Sequence, residues 1–172
     1  VGPEDNYVTA DMARPGDQLL ITKGAAIATT GLLARIFPKT IQQHWGAEFL
    51  ARAQCFFRKF SVVEDALEAA QVGVREAGVR AMHDATEGGV FGGLLELAEG
   101  SGCGLRVQRA AIPIAEETQR ICQLFEIDPY WALSEGTLIL AVVPDKVEVV
   151  QEALQGQGIP VARVGELLPL EE

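Results

Sequence analysis

The residues with most chemical promise are His83-Asp84-Ala85-Thr86-Glu87-Gly88-Gly89, set between a strand-forming apolar run and a helix-forming one. Paired glycines at a helix entrance let the backbone turn tightly and bring a ligand close to bare amides. The helix behind them offers N–H groups and the positive end of its dipole, which suits phosphate. Asp84 and Thr86 can cap that helix, and the Thr86 hydroxyl can instead donate to a ligand oxygen. The same residues serve equally well as caps of a core helix whose glycines only make room for packing. Glu87 is a favourable first-turn acid. His83 needs a positioned partner to act as a base, and His44, far off in sequence, builds no metal site with it. Ser134-Glu135-Gly136 either aims a carboxylate into a cleft or forms a plain turn. Lys23 stands where it can meet phosphate, although an exposed lysine at a strand end is the commoner outcome. There is no nucleophilic triad, Walker-type P-loop or GxGxxG. Phosphoryl transfer would need Mg²⁺ on carboxylates and clamping cations besides.

The elements that must hold these residues alternate along the chain. Arg14-Pro15-Gly16-Asp17 is a turn, and a strand is expected over Gln18–Lys23. A helix over Ala25–Phe37 halts before Pro38, and another is expected over Ala47–Phe57. Ser61-Val62-Val63-Glu64 has the form of a capping box opening a helix to about Glu76, with Gly78 as its stop. Val79–His83 reads as a strand, Val90–Glu99 as a helix and Leu105–Gln108 as a strand. Glu116–Phe125 reads as a helix, Thr137–Val143 as a strand, Pro144–Gln155 as a helix and Ile159–Val164 as the last strand. The pattern predicts an α+β layered domain with helices packed on a mixed sheet.

Bulk properties narrow the partners. The 172 residues are 48% hydrophobic and 22% charged, enough to bury a core. A net charge of -10 argues against nucleic-acid and membrane partners. Val1 to Asp17 lacks a signal-peptide pattern, so a cytoplasmic protein is expected. Cys55, Cys103 and Cys122 lack metal or disulfide spacing and read as reduced thiols. The chain starts at Val1, which reads as processing or as a piece of something longer.

Taken together, "RPGDQLLITKG", "MHDATEGGVFGGLLELAEGSGCGLRV", "AIPIAEETQRICQLFEIDPYWALSEGTLILAV" and "VARVGEL", in that order, resemble the C-terminal domain of the AIR synthase (PurM) superfamily. The Ala-Ile-Pro segment and the Asp-Pro…Glu-Gly pair are most similar to its hydrogenase-maturation, HypE-like branch. The resemblance implies a PurM C-terminal-like domain over 14–172 with partial ferredoxin-like topology, residues 1–13 as a linker remnant, and an ATP-binding N-terminal domain outside this chain. It implies an enzyme that uses ATP and Mg²⁺ to phosphorylate an amide or carbamoyl oxygen, with a small-molecule substrate, a homodimeric assembly and a maturation-protein partner. Asp84, Thr86, Gly88 and Gly89, with Glu135 and Gly136, would line the phosphate side of the cleft, and no residue is assigned to catalysis or to a resident metal. The isolated chain is expected to be inactive. The alternative is a stand-alone, non-catalytic module binding a small anion or a protein. The sequence departs from the HypE pattern at Glu87, where Arg is frequent, and over Ala25 to Phe57; it ends Leu170-Glu171-Glu172 without the family's Pro-Arg-Ile-Cys tail.

Overall fold

Residues 7–170 are described by the computed structural model, so residues 1–6 of the expected linker lie outside the described residues. Five strands, β1 (Gln18–Thr22), β2 (Val79–Ala85), β3 (Gly104–Val107), β4 (Thr137–Val142) and β5 (Val161–Leu168), form one sheet in the order β2-β4-β1-β5-β3. Among the described residues six helices accompany them: α1 (Ile27–Ile36), α2 (Pro38–Cys55), α3 (Val63–Val72), α4 (Gly89–Ser101), α5 (Glu116–Leu124) and α6 (Val147–Gly156).

All pairings between these strands are antiparallel. The parallel component expected of a mixed sheet is confined, among the described residues, to an isolated bridge between Val74 and Val79. The reason lies in the strand order. Alternating strands and helices signal parallel pairing when a crossover returns the chain beside its own strand. Here no two sheet neighbours are consecutive in sequence, so the crossovers do not dictate pairing direction.

Both β1 and β4 are buried along their whole length. That is why their sequences are continuous apolar runs rather than alternating ones. Successive side chains point to opposite faces. Leu19, Ile21, Ile139 and Ala141 meet Val90, Leu94 and Leu97 of α4. Leu20, Leu138, Leu140 and Val142 meet Ala69 of α3 and Val147, Val150 and Leu154 of α6. The sheet is therefore the middle of three layers. A separate small core built from α1, α2 and α5 gathers Ala34, Ile41, Phe49, Ala53 and Ile121.

Three local expectations change. The first half of α2, Pro38 to Trp45, was not expected to be helical; α2 kinks at Gly46 (φ 84°), and only its second half matches the helix read from sequence. Helix α3 starts at Val63 without the expected box: the Ser61 hydroxyl accepts from the Val63 N–H at 3.3 Å, two residues on instead of three. It also ends at Val72, capped by Gly73, short of the expected Glu76 and Gly78.

Two buried ion pairs tie the layers. Asp17 accepts from the Arg14 N–H at 2.9 Å and from Arg80 of β2 at 2.7 Å, fixing the entry turn to an edge strand. Burial pushes its carboxyl pKa up, against the pull of the Arg14 N–H and Arg80. Lys23, at the end of β1, is the second. Its Nζ meets Asp65 Oδ2 at 2.9 Å and the Ser61 carbonyl at 2.8 Å, and the two side chains are only 11% and 3% exposed. It is neither exposed nor free to meet a phosphate. It pins α3 to the central strand.

Candidate phosphate-side loop and its partner loop

Strand β2 runs to Ala85, which pairs with Thr137 of β4, and α4 begins at Gly89, so residues 86–88 form a tight connection at one end of the sheet. Gly89 has φ +65°, and a Cβ there would lie 2.6 Å from the Tyr130 carbonyl oxygen and 2.8 Å from that of Ala132. Both the left-handed backbone and the close approach require glycine. Gly88 and Asp84 are exposed, and Thr86 is half-buried.

Residues 130–136 close on this loop. The Ser134 N–H donates to the Thr86 carbonyl at 3.3 Å, and the Phe91 N–H donates to the Tyr130 carbonyl at 3.1 Å. The Gly89 N–H donates to the Thr86 carbonyl at 3.0 Å. Two of the amides at the α4 entrance are thus already used by protein carbonyls, and the bare cradle expected from the sequence is only partly there. What the loop keeps open is its outer rim, at Glu87 and Gly88, with the half-buried Thr86 hydroxyl turned to the Glu87 carboxyl.

Ser134 organises the rest. Its buried hydroxyl accepts from the Ala26 N–H at 2.8 Å and donates to the Ala132 carbonyl at 2.9 Å. Thr29 of α1 donates through its N–H and its hydroxyl to the Leu133 carbonyl, at 3.1 and 3.0 Å. Thr137 donates to the Gly24 carbonyl at 2.5 Å. The ends of β1 and β2, the start of β4 and the first turn of α1 are thereby stitched into one platform. Sequence patterning did not single out Ser134 for this, because its partner Ala26 lies 108 residues away.

Glu135 and Gly136 occupy the same platform. Gly136 has φ +103°, and a Cβ there would stand 2.2 Å from the Lys59 carbonyl oxygen, so the Lys59 backbone presses directly on it. Glu135 Oε2 is enclosed and, among the described residues, has no hydrogen-bond partner. An ionised carboxylate accepts hydrogen bonds and donates none. Such a group suits an N–H donor or a cation rather than a phosphate. Glu87 also carries negative charge: its own N–H and then the Thr86 hydroxyl hold its carboxyl below the usual range.

The remaining candidates scatter. His83 points to α4, where Nε2 lies 2.7 Å from Glu96 Oε2. His44 sits on exposed α2 beside Trp45. Among the described residues no group of three or more His, Cys, Asp or Glu is placed to hold a metal ion. No described helix is long and apolar enough to cross a membrane. A cavity of about 380 Å³ lies near the end of β1, lined by Lys23, Arg58, Ser61, Asp65 and Pro160.

The strand-loop-helix unit braced by a Glu-Gly loop is the arrangement that the motifs imply, and comparison with known proteins decides the family. The model of the AIR synthase related protein, C-terminal domain, matches residues 14–171. The chain belongs to this family. Among its AIR synthase related relatives, carbamoyl dehydratase HypE of Rhizobium leguminosarum bv. viciae is 28% identical over 174 residues, covering 98% of this chain and 45% of that protein. HypE of Escherichia coli strain K12 is 36% identical over 93 residues, covering 53% of this chain and 28% of its own. The crystal structure of E. coli HypE superposes with a TM-score of 0.78 at 23% identity, over 98% of this chain and 49% of that one. A HypE structure in complex with ATP gives 0.72 at 21% identity, over 98% and 47%. A HypE–HypF complex gives 0.69 at 19% identity, over 95% and 50%. At such identities the superpositions establish a PurM C-terminal-like fold. The chain spans about half the length of the HypE relatives that it matches end to end.

Proposed function

We propose that this chain is the C-terminal half of a HypE-like protein that uses Mg·ATP to phosphorylate the oxygen of a carbamoyl or amide group. The carbamoyl oxygen attacks the γ-phosphorus and ADP leaves; one N–H proton is lost to give the O-phosphorylated imidate, and loss of phosphate with the second N–H proton completes the dehydration to a nitrile. One observation carries the assignment: the Ser134 N–H to Thr86 carbonyl bond joins the exposed rim at Glu87 and Gly88 to the loop that holds Glu135, whose Oε2 is enclosed and, among the described residues, without a partner. An anion-binding rim and a proton acceptor on adjoining loops suit an amide-activating phosphoryl transfer.

In this reading the Thr86 hydroxyl turns from the Glu87 carboxyl to a phosphate oxygen and the Gly88 backbone holds another, with Asp84 on the strand end before them. Glu135 takes an N–H of the substrate, and Gly136 lets the Lys59 backbone close behind it. Mg²⁺ is commonly held by one or two carboxylates together with the substrate's phosphates. Glu87, ionised and exposed, fits that duty with Asp84, and the ion would offset their charge against the nucleotide. The other ATP-binding groups belong to an N-terminal domain outside this chain, joined through residues 1–13. Homodimerisation, a maturation-protein partner of the HypF kind and a cytoplasmic setting follow from the same reading.

Thr86→Val tests it in the full-length protein, because it removes the hydroxyl and keeps the shape. Gly88→Val is less clean, since a Cβ at Gly88 already meets Gly92 Cα at 3.0 Å. Losing a hydrogen bond to a charged oxygen should lower kcat/KM for ATP-dependent dehydration roughly 10- to 150-fold. Unchanged turnover would remove the loop from the mechanism. Full-length protein that binds nucleotide without consuming it would point to a non-catalytic module instead.

A further inference from the structure

The turn Asp128 to Trp131 is built to present one aromatic ring. The Tyr130 N–H donates to Asp128 Oδ1 at 3.0 Å, and the Trp131 N–H donates to the Asp128 carbonyl at 3.2 Å. Tyr130 is used on both faces: Phe91 stacks on one side, with centroids 5.0 Å apart and planes 13° apart, and the Arg109 guanidinium sits 4.3 Å from the ring centre. Trp131 is different. It meets Phe91 edge to face, at 5.4 Å and 77°, and its backbone packs on Gly89, yet 51% of the residue stays exposed.

This is a large apolar surface held in a fixed orientation on the border of the Thr86–Gly89 loop. Leaving it wet has a cost, and the Phe91 contact removes the freedom to fold away. A flat ligand gains from such a ring because stacking needs no induced ordering. The same turn carries the Asp128–Arg109 ion pair, at 3.8 Å, and the backbone of Trp131 lies directly against Gly89, so the exposed ring belongs to the border of that loop.

We propose that the Trp131 indole is the stacking surface for the base of the nucleotide whose phosphates lie at the Thr86–Gly88 rim. This rests on the nucleotide assignment above and adds a residue that discriminates a nucleoside triphosphate from a bare polyphosphate.

Calorimetric titration of the full-length protein, in Mg²⁺ buffer, with ATP and with inorganic tripolyphosphate tests it. Trp131→Ala and Trp131→Leu should weaken ATP binding about 5- to 150-fold, the range that one base–aromatic stack supplies. Both should leave tripolyphosphate binding unchanged, and Trp131→Tyr should restore most of the ATP affinity. Equal weakening of both ligands would show that the ring only props the loop or docks another domain, and would overturn the proposal. So would a Leu variant as good as Tyr, since apolar contact alone would then suffice. Thr86→Val, by contrast, should weaken tripolyphosphate; if it does not, the phosphate assignment fails independently of Trp131.

Discussion

Replacing Lys23 by Met should be among the most damaging single changes in the chain, and its cost follows from burial. Lys23 Nζ is the cation that faces Asp65, whose side chain is 3% exposed and whose Oδ1 already lacks a partner among the described residues. Removing the lysine leaves a buried carboxylate uncompensated and frees the Ser61 carbonyl. Breaking one side of such a pair costs about 3–5 kcal/mol. For a chain of this length each kcal/mol lowers Tm by about 2–4 °C, so a fall of roughly 6–20 °C is expected. Asp65→Leu combined with Lys23→Met removes both charges, and apolar replacement of a buried pair is often neutral. The double variant should therefore recover most of the loss. Urea denaturation of the two single variants and the double gives the coupling directly. A Lys23→Met cost below about 1 kcal/mol, or a double variant as unstable as the sum of the singles, would refute the claim that this pair holds α3 to β1.

Other outcomes follow from the same structure. Ser134→Ala orphans the buried Ala26 N–H and should cost about 1–3 kcal/mol in urea unfolding, while Ser134→Thr, which keeps the hydroxyl, should cost less. The Glu117 carboxyl is held below its ordinary 4.5: burial alone would raise it, but the Arg52 hydrogen bond and its own N–H outweigh that. Its stabilisation is thus present above about pH 4.5 and is lost as pH falls, so Arg52→Gln should flatten the fall of Tm between about pH 5 and 3. Asp17 has the opposite sign, because burial raises its pKa and its stabilisation fades as pH rises through the folded value; Asp17→Asn should make the acid limb steeper. Cys55 is exposed, whereas Cys103 and Cys122 are buried and burial, then the Asp128 charge, pushes the Cys122 thiol up to about 11. A thiol-disulfide reagent at pH 8 should titrate one fast thiol in the folded chain and three after unfolding; two fast thiols would contradict the packing.

How much of this was legible depended on the range of the signal. Strand β4 was found almost to the residue, because Leu138-Ile139-Leu140-Ala141-Val142 is apolar on both faces and bounded by Gly136 and Pro144. The first half of α2 is not legible because Pro38 to Trp45 offers the core only Ile41 and, partly, Trp45, and two anchors give no clear period. Strand β5 runs on through Gly165, which reads as a strand end in the sequence; having no Cβ, it admits the Arg106 carbonyl oxygen, 2.0 Å from where a Cβ would lie. The Asp84–Gly89 loop was visible because Gly-Gly before a helix is a local pattern. Its cover was not: the Tyr130 carbonyl that occupies the Phe91 amide belongs to a loop whose approach no local spacing records. Lys23 and Ser134 carry the same lesson, since each acts through a partner far along the chain.

The strand order has a consequence for how the chain is made. Strand β1 sits at the centre of the sheet, yet its two neighbours, β4 and β5, come from the last fifth or so of the sequence. A ribosome delivers the central strand first and must add well over a hundred residues before either flank can zip onto it. Until then an apolar ribbon with two open edges has to be shielded from other nascent chains, and premature termination anywhere before β4 strands it permanently.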